Sequence, residues 1–352
     1  MKLGLNFLPT VGPGEYAADR FFDECLELSE VADGLGFSHV KMVEHHFHEW
    51  GGYSSDPIAL LSAVAQRTRH VRLVTGAVTP AFTHPIKLAA SLSVLDNLSG
   101  GRLDAGFGRA FLPTEFEAFG VELADSRALF EENVAAIERL WTAEDFRWEG
   151  RFHQFGPLPP LLPRPLQQPA PPVFVAATTS AETFTWAGAH GHHLMIIPIV
   201  ASHERLAELL AEYRRAREEH GHPPGHRLHV SYHCFIGDDH DLALADAERH
   251  YAAYQAKQLS AYGSWRGVSS SQYPGYERME EAARRTTLEQ LRAADNIVVG
   301  DLSAAEATLR RIEARYPGAE ISLQCRFGSV SHAEALHTVR LLGEKVLTGD
   351  RA

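Results

Sequence analysis

Cysteine is scarce in this sequence: Cys25, Cys234 and Cys325 are the only three in 352 residues. An odd number without paired spacing builds no disulfide framework, and it fits a chain kept in a reducing cytoplasm. Long apolar runs are missing too. No stretch approaches the roughly 20 apolar residues a membrane helix requires, and residues 1–9 lack the order of a secretion signal, so no membrane association is expected. Positive charge is in deficit, with 33 Lys and Arg against 45 Asp and Glu and a formal net charge of -12. A nucleic-acid surface would have to work against that field, and no basic patch offers one. Nor does any G-x-G-x-x-G follow a strand and open a helix, which excludes a nicotinamide dinucleotide site of the usual kind.

What is present is enough apolar material for a large core, 45% of the chain, in a regular alternation. Short β-type runs at 3–8, 39–44, 71–78, 103–108, 173–178, 193–199, 228–236 and 321–327 alternate with helical patterns such as 19–35, 57–68, 85–98 and 126–141. Only the last two strands lack a prompt helix. Eight βα units predict one α/β domain over residues 1–352, a (β/α)8 TIM barrel with insertions after strands 4 and 7. Residues 110–125 form the first insertion. The proline-rich stretch 146–172 reads as an extended crossover on the helix side, with an interdomain linker as the alternative. Residues 262–285, rich in Gly, Ser, Tyr and Arg without a period, read as a mobile lid.

Barrel chemistry collects in the loops after the strands. Glu44, His45, His46 and His48 cluster at the end of strand 2, where a histidine can move a proton near neutral pH. His46 and His48 could begin a metal site, but the ends of strands 4, 5 and 8 (Gly108-Arg109, Thr178-Thr179, Arg326-Phe327) supply no further His or Asp, so no metal is expected. Arg109 follows glycines that let a ligand approach, and a guanidinium pairs with phosphate; a structural ion pair explains it equally well. Thr179 and Glu182 have the spacing of a capping box, and a helix start with hydroxyls offers free amides to a phosphate. Plain capping is the alternative.

These segments, with His84-Pro85, the run 95–103 (LDNLSGGRL), Phe119-Gly120, Asp125-Ser126-Arg127, Pro171-Pro172-Val173 and Trp186-Ala187, occur in an order that resembles the bacterial luciferase-like flavin monooxygenase family from residue 1 to about 347. The resemblance implies that Arg109 and Arg127 grip the phosphate of flavin mononucleotide (FMN) with Thr179, Ser180 and Thr183. It implies that Glu44 lies by the flavin, that His45 is the active-site histidine, and that a cis peptide between Gly76 and Ala77 backs the ring. It further implies a cytoplasmic two-component enzyme, with a separate flavin reductase supplying reduced FMN (FMNH2). With O2 this forms a C4a-hydroperoxide that oxygenates a small molecule, whether aldehyde, ketone or natural-product intermediate. A homodimer is implied as well.

There are departures. Gly108 stands where luciferases carry a reactive cysteine, so light emission is not expected, and Thr179 replaces a glutamate, while Glu115 keeps a carboxylate. Phe7, Phe47, Phe107 and Phe111 are candidate substrate contacts, each equally a candidate for plain core. The lid's Arg266, Arg278, Arg284 and Arg285 could meet cofactor phosphate or an acidic substrate, or be solvated surface charge. An F420-dependent oxidoreductase of the same superfamily and a non-catalytic flavin-binding protein are the alternative functions.

Overall fold

The computed structural model describes residues 1–347. Its strands are β1 (Lys2–Phe7), β2 (His39–Met42), β3 (Arg72–Thr75), β4 (Leu103–Phe107), β5 (Phe146–Glu149), β6 (Gln154–Leu158), β7 (Val173–Ala177), β8 (His193–Ile196), β9 (Leu228–Ile236), β10 (Val298–Gly300) and β11 (Glu320–Gln324). Going round, β1, β2, β3, β4, β7, β8, β9 and β11 pair in parallel, and β11 returns to β1, so the sheet closes on itself. All eight barrel strands predicted from the apolar pattern form, as do the helices Ala18–Leu35, Pro57–Arg67, Pro85–Leu98 and Ser126–Thr142. No helix among the described residues is long and apolar enough to cross a membrane.

Several details differ from the expectation. Strands β9 and β11 are also followed promptly by helices, His240–Tyr262 and His332–Leu341. Residues 146–158 are not simple extended chain but an antiparallel hairpin, β5 on β6, with Trp148 opposite Phe155. Its turn is captured by Glu132, whose carboxylate accepts the N–H groups of Arg151, Phe152 and His153. Strand β10 is three residues long and pairs with Cys234–Ile236 of β9, too short to show a period. The 262–285 segment carries the helix Met279–Arg285 and two short 3-10 turns.

Side chains alternate across each barrel strand. Leu3 and Leu5 belong to one continuous core with Phe21, Cys25 and Leu28 of the helix Ala18–Leu35, whereas Val74, Phe174 and Met195 make a separate small cluster. Much of the remaining buried strand surface is polar. Asp104 is fully buried and accepts hydrogen bonds from Arg72 at 2.6 and 2.9 Å and from Arg227 at 2.7 and 2.8 Å, and Arg227 also reaches Glu320 at 2.7 Å. His39, His229 and Ser322 are fully buried, with His39 Nε2 2.8 Å from Ser322 Oγ.

Candidate active site

Beyond β2 the chain folds back so tightly that Gly51, at φ +92°, lies on His45: a β-carbon there would sit 2.2 Å from the histidine Cβ. Only glycine fits. The His45 ring packs on Trp50 at 4.6 Å and edge-on to Phe111 at 5.8 Å. Its Nδ1 is 3.1 Å from Oε1 of the buried Glu115, which also accepts the backbone N–H of His46 at 2.8 Å. A carboxylate offers only acceptors, so Nδ1 carries the hydrogen. Among the described residues nothing bonds Nε2. That arrangement orients the ring and leaves one nitrogen free for a proton-transfer or donor role.

The other members of the cluster serve different ends. Glu44 accepts the N–H of Thr79 at 2.9 Å and meets His46 Nε2 at 3.0 Å, tying the end of β2 to the chain after β3. His48 Nε2 lies 2.7 Å from Thr114 Oγ1, and burial lowers its pKa. Replacing Glu115 by alanine strands two partly buried donors at once, so Glu115→Ala is expected to cost about 2 kcal/mol in urea unfolding. A midpoint equal to wild type would show that water replaces the carboxylate.

The peptide between Gly76 and Ala77 is cis, at the position expected. Past β4, Arg109 lays its guanidinium over the Tyr273 ring at 4.2 Å and donates from Nη2 to the Gln272 carbonyl at 2.8 Å; Nη1 is buried without a partner among the described residues. Burial lowers its pKa, and the charge of Arg127 adds to this. Arg127, in the first turn of Ser126–Thr142, reaches Ser180 Oγ at 3.0 Å, Glu182 at 2.9 Å and Thr183 Oγ1 at 3.5 Å. Two arginines and the start of the helix Ala181–Ala189 therefore converge.

One expectation needs correction, and two alternatives left open by the sequence are decided. The helix cap is Ser180, whose Oγ accepts the Thr183 N–H, while Thr179 is exposed and Glu182 pairs with Arg127 instead of closing a box; the helix begins one residue later than the spacing suggested. Phe7 and Phe107 are core residues and Phe47 is exposed, so only Phe111 of the four reaches His45. The arginines of the 262–285 segment point to solvent and pair locally, Arg266 and Arg284 with Glu280, Arg278 with Glu277 and Arg285 with Glu281. What the segment brings instead is aromatic: Trp265, Tyr273 and Tyr276 pack with Ala110 and Phe116, and the Tyr273 hydroxyl donates to the Ala110 carbonyl. The tyrosines were visible in the sequence, but nothing local tied them to strand 4.

Residues 1–316 match the family described as luciferase-like monooxygenase. The chain belongs to that family. As a luciferase-like monooxygenase it is similar to the crystal structure of monooxygenase RslO1 from Streptomyces bottropensis, with 41% identity and a TM-score of 0.88 over 99% of this chain and 100% of that one. It is 30% identical over 248 residues to the oxygenase component of the flavin-dependent trigonelline monooxygenase of Acinetobacter baylyi, a match covering 70% of this chain but only 66% of that protein, just under two thirds of its length. The fold is shared with the oxygenating constituent of 3,6-diketocamphane monooxygenase from Pseudomonas putida, a type II Baeyer-Villiger enzyme solved with FMN, at 21% identity and a TM-score of 0.79 over 98% of this chain and 97% of that one.

Proposed function

We propose that this luciferase-like monooxygenase binds reduced FMN delivered by a separate flavin reductase and uses it with O2 to oxygenate a small organic molecule. The observation that carries the reading is the buried Arg109 Nη1 without a partner among the described residues, close to Arg127, which itself reaches the hydroxyls of Ser180 and Thr183. A buried guanidinium N–H left unpaired costs free energy, and a phosphate oxygen is the acceptor that suits it. In this reading Arg109, Arg127, Ser180 and Thr183 hold the phosphate, with Thr179 at its edge, and Gly76 and Ala77 back the ring. Reduced FMN, when bound, would supply two electrons to O2, and two protons, from the flavin and from solvent, complete the balance, so that one oxygen atom enters the substrate and the other leaves as water.

The protein's part is to bind, orient and keep dry. Glu44 fixes the Thr79 backbone beside Gly76 and Ala77. His45, aligned by Glu115, holds or passes a proton at Nε2, and Trp50, Phe111, Tyr262 and Tyr276 form an aromatic wall that keeps water from it. The relative named as an oxygenase component supports a reductase partner by analogy. A cytoplasmic homodimer is part of the same reading.

The test is a titration with FMN. Wild type binds, and Arg109→Ala binds about 10- to 100-fold more weakly, the scale of a charge-assisted hydrogen bond worth roughly 1.5 to 3 kcal/mol. Unchanged affinity in the variant removes Arg109 from the phosphate site. Consumption of F420 instead of O2 by the wild type favours the deazaflavin alternative.

A further inference from the structure

One cation in the barrel has no part in the reading so far. Lys41, two percent exposed on β2, extends its ammonium to Ser231 Oγ on β9 at 2.6 Å, with β1 and β11 between the two strands. Its stem runs against the inward side of Gly76, where a β-carbon would lie 2.1 Å from Lys41 Cγ and 2.2 Å from Cδ. Glycine at 76 and lysine at 41 are therefore one steric unit, placed directly against the cis Gly76-Ala77 segment.

That ammonium is uncompensated. It has three donors and uses one, and among the described residues no carboxylate pairs with it. Burial alone pushes its pKa down to about 7. The titratable groups facing it are imidazoles: His39, held neutral by burial and by Lys41 itself, and His229, held neutral by burial, His39 and Lys41. On β1 the residue in register with Lys41 is Asn6, whose buried Oδ1 has no partner among the described residues. Asn6 and Ser231 keep 7% and 8% exposure, whereas His39, His229 and Ser322, further from the C-terminal ends of their strands, keep none. Lys41 thus belongs to the barrel layer nearer the candidate site. Burial disfavours the charged form of a lone amine, and an anion brought to it restores that charge.

We infer that Lys41 is the counter-charge for an anion bound against Gly76 and Ala77, and that this anion is the pyrimidine end of reduced FMN. The inference rests on the flavin reading above. The reduced ring loses a proton from its pyrimidine side near neutral pH, whereas the oxidised ring is neutral. Lys41 then discriminates between redox forms: it holds the reduced flavin that a reductase supplies and relaxes its hold once the flavin is oxidised, which suits an enzyme that exchanges flavin every turnover.

The experiment compares binding of oxidised FMN in air with binding of reduced FMN under anaerobic conditions. Wild type binds the reduced form more tightly. Lys41→Met, similar in length and uncharged, weakens reduced FMN by at least about tenfold and leaves the oxidised form unchanged. The two-electron potential of the bound flavin falls correspondingly, by about 30 mV for each tenfold. Equal weakening of both forms makes Lys41 a shaping residue only and overturns the inference, as does no change in either. If Lys41→Met does not fold, Lys41→Gln serves, and the wild type alone decides as well: equal affinity for the two redox forms overturns the inference. A wild type that binds neither form takes down the flavin reading itself.

Discussion

With reduced FMN supplied, His45→Ala is expected to form product at about one hundredth of the wild-type rate or less, the scale of a lost proton-transfer group. FMN affinity should stay close to wild type, because the hydrogen bonds of His45 run to Glu115 and Ser54 and not toward Arg109 or Arg127. The two readouts separate the roles. A fall in affinity with unchanged turnover would make His45 a wall of the binding site. Wild-type product formation would remove it from the chemistry, and the free Nε2 would need another explanation.

Asp104→Ala is expected to destabilise the barrel by about 3 kcal/mol, at the lower end of the range for breaking a buried ion pair, read as a shift of the urea midpoint. Asp104 is the common acceptor for Arg72 and Arg227, and its removal leaves two guanidinium groups near one another with Glu320 as the remaining carboxylate on Arg227. Both arginines are more than a quarter exposed, at 29% and 27%, so water offsets part of the loss. Asp104→Asn, which keeps two acceptor lone pairs but no charge, should fall between the variant and wild type. A midpoint within error of wild type for Asp104→Ala would show that solvent screens the network fully.

The legibility of this chain follows the range of the forces involved. The barrel strands could be read because each is a short segment, four to nine residues long, in which apolar residues recur between turns and helices, a local pattern that survives without knowledge of neighbours. The three residues of β10 carry no such pattern, and the hairpin at 146–158 hid behind prolines that favour extended chain in either arrangement. The helix start at Ser180 was missed by one position because Thr179 and Ser180 are both good caps, and only the packing of Arg127 on Ser180 and Glu182 separates them.

The candidate site divides in the same way. The histidine cluster, the glycine-arginine turn after β4 and the helix start at 178–183 could be named from residue type and position in the βα order, and Arg127 from the family resemblance. Their partners could not. Glu115 meets His45 across 70 positions, Gln272 covers Arg109 across 163, and Ser231 takes the Lys41 ammonium across 190. In the four residues of β2, His-Val-Lys-Met, the period is too short to say whether the lysine faces water or the barrel interior.

The sequence by itself determined the closed parallel barrel, the family and the rim on which the chemistry sits, because alternation of apolar residues and short turn motifs act over a few residues and need no partner. Only the tertiary structure decided that the 262–285 segment contributes aromatic rings and a carbonyl to Arg109 while its arginines face solvent. It alone showed that Glu115 meets His45 and that the Lys41 stem lies against Gly76, its ammonium on Ser231 with no carboxylate partner among the described residues. Those facts depend on which distant groups share a low-dielectric space, and there a single hydrogen bond or its absence outweighs any local preference.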